Sequence, residues 1–173
     1  MRRLLRLLVA DQAGMSLAEI LVACVIIGIA LTGLLSAVPT SSYGIQEGRQ
    51  LSTAVFLANQ RLEQVRNADW NSTPGNDCLG TSASSSTAPT TASCNGAART
   101  TFPDETPLAA PYTGYTRTVR VTDCSVAPGC GGITNNQLRQ VTVTVGYRAA
   151  TATGVIALGT TKSMQASMLV AER

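Results

Sequence analysis

The sequence predicts an α+β chain: one long N-terminal helix, membrane-spanning in its first half and amphipathic in its second, packed on a small antiparallel β-sheet. Three observations carry this. Residues 15–38 form 24 consecutive positions in which Glu19 is the only charge, a length that crosses a hydrocarbon core of about 30 Å as a helix. Leu51, Val55, Ala58, Leu62 and Val65 recur at spacings of four and three, which draws one apolar stripe along a helix. From Tyr115 onward apolar and polar residues alternate in two runs, the pattern of half-buried strands.

The chain has 173 residues and a net charge of +3, enough for one modest domain besides its N-terminal region. Arg2, Arg3 and Arg6 against Asp11 contribute two of those three charges, so the remainder is nearly neutral and carries no nucleic-acid footprint. Histidine is absent, which excludes histidine acid/base chemistry and most zinc sites. Of five cysteines, Cys24 lies inside the apolar run and reads as a small apolar residue. Cys78, Cys94, Cys124 and Cys130 lie beyond it, an even set that suggests two disulfides in an oxidising compartment. Three connectivities are open; the sequence-local one, Cys78 with Cys94 and Cys124 with Cys130, is favoured, and neither gap has the close spacing of a four-cysteine zinc site.

Taken in order, residues 1–14 form a basic leader and residues 15–38 the membrane half of the helix. The arginines place the leader in the cytoplasm and the rest of the chain on the other side, in agreement with the cysteines. The apolar run is too long for a secretory signal peptide and no A-x-A-like site follows it. A plain signal anchor accounts for everything except Glu19, since a carboxylate within a membrane segment costs roughly 2.5–3.5 kcal/mol at a helix centre. A carboxylate that snorkels to the membrane surface is the bland account of it.

The stretch AGMSLAEILVA, residues 13–23, resembles the class III signal of type IV prepilins and of type II secretion pseudopilins. The resemblance implies cleavage after Gly14 by a membrane prepilin peptidase, an N-methylated mature terminus at Met15, and Glu19 as the carboxylate used in assembly. Phenylalanine is the commoner new terminus, so Met15 is a variant. It further implies a pilin-like fold in which the apolar helix is retained and passes from lipid into a filament core. There Glu19 would neutralise the buried terminal amine of a neighbouring Met15, a pairing that favours axial register more than bulk stability.

Residues 39–70 form the amphipathic half of the helix. Its first residues, PTSSYG from Pro39 to Gly44, are poor helix formers and predict a kink or a stretch able to melt. A helix unbroken from Met15 to Asn67 would measure roughly 80 Å. The stripe is assigned to core packing, as is Trp70. Residues 71–112, rich in Ser, Thr and Ala, read as a loop, with Asn71 in an N-S-T acceptor pattern. Residues 113–173 form the sheet region: Tyr115, Arg117, Val119 and Val121 share one face, Val141, Val143, Val145 and Tyr147 another, and one or two further strands lie between Val155 and Val170. Between them DCSVAPGCGGITNN, residues 123–136, is a disulfide-closed turn.

The function expected is that of a minor pilin, a structural subunit of a type IV pilus, resembling the V-type pilus-modification minor pilins. The alternative is a minor pseudopilin of a type II secretion system, which shares the N-terminal signal and the style of helix. The partners implied are other pilin subunits through the helix, the prepilin peptidase/methylase, the inner-membrane assembly machinery, and membrane lipid before assembly. The location implied is the bacterial inner membrane and then the cell-surface pilus. No cofactor, metal or nucleotide site is expected: Asp69, Asp77, Asp104, Glu105 and Asp123 read as solvated loop acids, although Asp104 and Glu105 are a conceivable calcium pair, and no catalytic constellation assembles. A tip subunit binding DNA or a surface would draw on Arg117, Arg120, Arg139 and Arg148, which read more simply as solubilising charges on an exposed face.

Overall fold

The computed structural model of the chain describes residues 16–71, 73, 75–149 and 161–173, without the side chains of 38–41. Among the described residues helix α1 spans Leu17–Arg66 and is followed by five strands: β1 Thr90–Cys94, β2 Ala97–Thr100, β3 Tyr115–Asp123, β4 Leu138–Arg148 and β5 Thr161–Ala171. The chain divides into two compact units, Met1–Gly44 and Ile45–Arg173.

In the first unit the described residues are the apolar part of α1. Its Leu, Ile and Val side chains are exposed all round, from Leu17 through Leu35, and an 18-residue window of the helix reaches a mean hydropathy of 2.6 with none of it buried. The helix continues without a break through Pro39–Gly44, where composition predicted an interruption. A proline removes one backbone donor, and the rungs on either side still close.

In the second unit β3, β4 and β5 form an antiparallel sheet in that order. Its register sets Val119 opposite Val143 and Val121 opposite Val141, and these four, with Val145, are fully buried. Because successive strand residues face opposite sides, the same register turns Thr118, Thr122, Thr142 and Thr144 to the other face. The valines pack with Ala54, Leu57, Ala58 and Val65 of α1, and with Trp70, Leu79, Leu108 and Val170, in one core. Each large apolar side chain buried here contributes about 1.5–3 kcal/mol. The helix stripe is shifted from the predicted phase: Ala54 and Leu57 lie inside, while Leu51 is 45% exposed. Small Ala54 is fully buried, a position that a search for large apolar residues passes over.

The segment 71–112 departs most from expectation. It contains the hairpin β1–β2, which bulk hydrophobicity does not signal. Thr91 and Thr101 are buried; Thr101 Oγ1 donates to Leu79 O at 2.8 Å, and the Thr91 hydroxyl to Asp77 O. Gly80 has φ +70°, and a Cβ there would lie 2.6 Å from Thr90 O, so only glycine admits this close passage of two backbones. Of the strands expected between Val155 and Val170, β5 is the one described; residues 150–160 lie outside the described residues.

Two disulfides close the unit. Cys78 is joined to Cys94 and Cys124 to Cys130, with Cα–Cα distances of 4.8 and 5.1 Å. The first fastens the loop behind the helix to the end of β1. Since it closes a loop of 16 residues in sequence separation, removing it frees roughly 3 kcal/mol of unfolded-state entropy. The double variant Cys78→Ser/Cys94→Ser should therefore unfold at a lower temperature than the oxidised parent, a loss that reductant reproduces in the parent and does not deepen to the same extent in the variant.

Candidate functional site

The candidate site is the start of α1 and the apolar surface that follows it. Gly14 and Met15 lie outside the described residues, which begin at Ser16. Ser16 caps the helix: its carbonyl accepts from the N–H groups of Glu19 and Ile20 at 2.9 and 3.2 Å, and its Oγ accepts from Glu19 N–H at 3.3 Å. Glu19 is exposed and occupies the third helical position. Serine followed three residues later by glutamate is the sequence of a capping box. That signal was legible in Ser16-Leu17-Ala18-Glu19, and sequence reasoning fixed on membrane depth passed over it. A carboxylate there also meets the positive end of the helix dipole, worth about 0.3–1 kcal/mol.

Beyond the cap, the hydroxyls of the apolar stretch up to Ser36 are turned back onto the helix. Thr32 Oγ1 and Ser36 Oγ turn back onto the carbonyls of Ile29 and Gly33 at 2.9 and 2.8 Å, which leaves an apolar exterior. Cys24 is a free thiol on that surface. What such a helix can do chemically is partition, first into lipid and then against other helices of its kind.

In the second unit Asp69, Asp123 and Arg148 are exposed, as composition predicted, but Asp77, Asp104, Glu105, Arg117, Arg120 and Arg139 are not solvated charges. Arg117 is buried on the inward face of β3. Its Nε donates to Glu105 at 2.6 Å and its Nη1 to Leu57 O and Gln60 Oε1, both at 3.2 Å. Arg61 of α1 pairs with the same carboxylate and lies over the Phe102 ring. Arg120 holds Asp104 through two contacts of 2.6 and 2.8 Å. Arg139 bonds Asp77 at 2.7 Å and stands 4.5 Å above the Trp70 ring. Asp104 and Glu105 are thus each committed to an arginine rather than presented together to a calcium ion, and among the described residues no cluster could hold a metal. Three of the four arginines offered for nucleic acid are occupied in this way.

These pairs set the ionisation of the unit. Burial pushes the Glu105 carboxyl upward, but hydrogen bonds from Arg117 and Arg61 outweigh it and hold the group below its ordinary value. The hydrogen bonds that Arg120 donates to Asp104 raise Arg120, and the one that Lys162 donates to Glu47 raises Lys162.

Residues 9–35 match the model of the prokaryotic N-terminal methylation motif, the type IV prepilin-like signal, and the matched stretch contains Gly14, Met15 and Glu19. No curated protein and no solved structure matches the chain. The motif implies processing by prepilin peptidase and assembly with other pilins, and together with the apolar helix it fits membrane anchoring.

Because the folded Glu105 carboxyl is held below its unfolded value, near 4.3, its contribution to stability is present above that value and lost as pH falls through the folded one. Thermal unfolding followed from pH 7 to pH 2.5 should show an acid loss that Glu105→Gln flattens. At pH 7 the same variant should be less stable by about 1–3 kcal/mol, because Arg117 is left buried without its carboxylate.

Proposed function

We propose that the chain is a minor pilin of a type IV pilus. The observation that carries the reading is the methylation motif at residues 9–35, leading directly into a helix whose apolar surface is bare through Leu35. A helix of that kind has no stable place in water, and lipid or a bundle of like helices are its two solvents. Supporting the finer assignment is the order of the chain, in which the long helix is followed by a β-rich unit closed by disulfides.

In mechanism, the basic leader holds the precursor with its N-terminus in the cytoplasm, and prepilin peptidase cuts between Gly14 and Met15. The cut releases a terminal amine one residue before the Ser16 cap, and methylation keeps it cationic. As the subunit moves out of the membrane, α1 exchanges lipid contacts for contacts with its neighbours. Glu19, held at the helix start by the cap, pairs with the Met15 amine of the next subunit. Both charges are costly alone in an apolar bundle, and their pairing selects the register in which they meet. The unit from Ile45 to Arg173 forms the outer surface, and filament growth draws its energy from a separate cytoplasmic ATPase.

Two measurements test this. The N-terminal mass of the protein from membranes should begin at methylated Met15 when prepilin peptidase is present and at Met1 when it is deleted; an intact Met1 chain in both strains makes it a simple anchor. Glu19→Gln should still be cleaved and should still reside in the membrane, but its recovery in sheared filaments should fall at least tenfold. Parental recovery of Glu19→Gln would remove the assembly role.

A further inference from the structure

We propose that the Cys78–Cys94 disulfide is a thiol–disulfide exchange site, attacked at Cys78 by a dithiol of the oxidoreductase class with Cys94 as the leaving sulfur. The inference does not rest on the pilus reading. A recess of about 370 Å³ just past α1 has Asn67, Asp69, Cys78, Arg99 and Phe102 in its wall, so Cys78 is the sulfur-bearing residue that a thiol entering there meets. Of the four paired cysteines Cys78 is also the most exposed, at 9%, against 2% for Cys94, 0% for Cys124 and 3% for Cys130. The other sulfur of the bond carries a cation: Arg99 of β2 reaches back across the hairpin, and its Nη2 donates to Cys94 Sγ at 2.8 Å. The second disulfide has the opposite surroundings. There each sulfur meets a carbonyl oxygen, Thr122 O, at 3.9 Å.

Exchange is faster the better the leaving thiolate is stabilised, and a neighbouring arginine is one of the groups that stabilise a thiolate. In the first step the incoming thiolate bonds to Cys78 Sγ, the S–S bond breaks, and its electron pair goes to Cys94 Sγ beside the Arg99 guanidinium. In the second, the other thiol of the dithiol attacks its own sulfur in the mixed disulfide and releases Cys78 as a thiolate. The two cysteine thiolates take up the two protons of the dithiol, which is oxidised by two electrons as Cys78–Cys94 is reduced. The reverse sequence installs the bond. Arg99 is in the wall of the recess as well, so the same cation meets negative charge as it arrives and as it leaves, while Asp69 opposes its arrival. The backbone around the bond is held without sulfur: Cys78 N–H donates to Asp69 O at 2.8 Å and Asp77 N–H to Ser93 O at 3.1 Å. The sulfurs can therefore part while the loop stays tied to the end of α1 and to β1.

The test uses the full oxidised chain in detergent, with the free thiol of Cys24 first blocked by N-ethylmaleimide. Dithiothreitol is added in limiting amount, samples are quenched with iodoacetamide over time, and peptide masses report each cysteine. Cys78 and Cys94 should become alkylated before Cys124 and Cys130. Arg99→Ala should slow that opening by about threefold or more, Arg99→Lys should slow it less, and the rate at Cys124–Cys130 should be unchanged in both. A variant that merely loosened the fold would open faster, so a slower rate reads the charge. With glutathione in place of dithiothreitol, the trapped mixed disulfide should sit on Cys78 and the alkyl group on Cys94. Equal opening of the two disulfides, glutathione trapped on Cys94, or a parental rate in Arg99→Ala overturns the assignment.

Discussion

Helix α1 has to satisfy two solvents, and the rest of the chain follows from that constraint. Up to Leu35 it is apolar on every side, so no face of this stretch is reserved for its own sheet. From Ala54 to Val65 the same helix buries one stripe and exposes Phe56, Asn59, Gln60 and Glu63. A core built on one stripe of one helix and one face of three strands is thin. At about 1.5–3 kcal/mol per buried side chain, the eight fully buried Leu and Val residues of the unit are modest support for so much irregular chain.

The irregular chain is fastened by other means. Asp77, Asp104 and Glu105 each take an arginine of the sheet, Arg139, Arg120 and Arg117 respectively, and Cys78–Cys94 fixes the loop at its start. Glu105 and Arg117 also exchange backbone hydrogen bonds of 2.9 Å in both directions, so the loop covers the outer edge of β3 as a short strand would. An uncovered edge invites pairing with foreign strands, and here the ion pair and the backbone bridge close it together. Exposed ion pairs add little, but the Arg117 side chain is only 8% exposed, and its carboxylate partner avoids the larger cost of an unpaired buried cation.

What the sequence made legible follows the range of the interactions involved. The apolar run, the alternation in β3 and β4 and the prepilin-like signal are local patterns, and they read directly. The hairpin β1–β2 did not, because it hides threonine hydroxyls on backbone carbonyls such as Leu79 O instead of burying alternate large side chains. The arginine pairs were invisible for a different reason: Arg139 and Asp77 are 62 residues apart, and only the topology brings them together. Arg117 shows the limit of alternation, since its phase placed it inward with Val119 and Val121 while its charge argued for the surface. Glu105 resolves that conflict, and Glu105 belongs to the segment that looked least structured.

The cap at Ser16 bears on why a carboxylate at position 19 is tolerable at all. The helix dipole supplies about 0.3–1 kcal/mol to a carboxylate in the first turn, against roughly 2.5–3.5 kcal/mol for burying an acid at the middle of a membrane helix. On the proposed function the first turn lies near the membrane surface, where the burial cost is smaller, so the dipole would offset part of it before Glu19 has a partner. In the proposed filament the balance would change, because a neighbour's helix would replace the water that a snorkelling carboxylate reaches. The dipole would remain, but the solvent would not, and a deficit would open that a cation could fill. On the proposed cleavage after Gly14, every subunit would carry a terminal amine one residue before Ser16, so an axial step of one subunit would deliver that cation. On the proposed function the helix start and the carboxylate act in succession, the dipole at the first turn easing Glu19 in lipid and the pairing making it selective in the polymer.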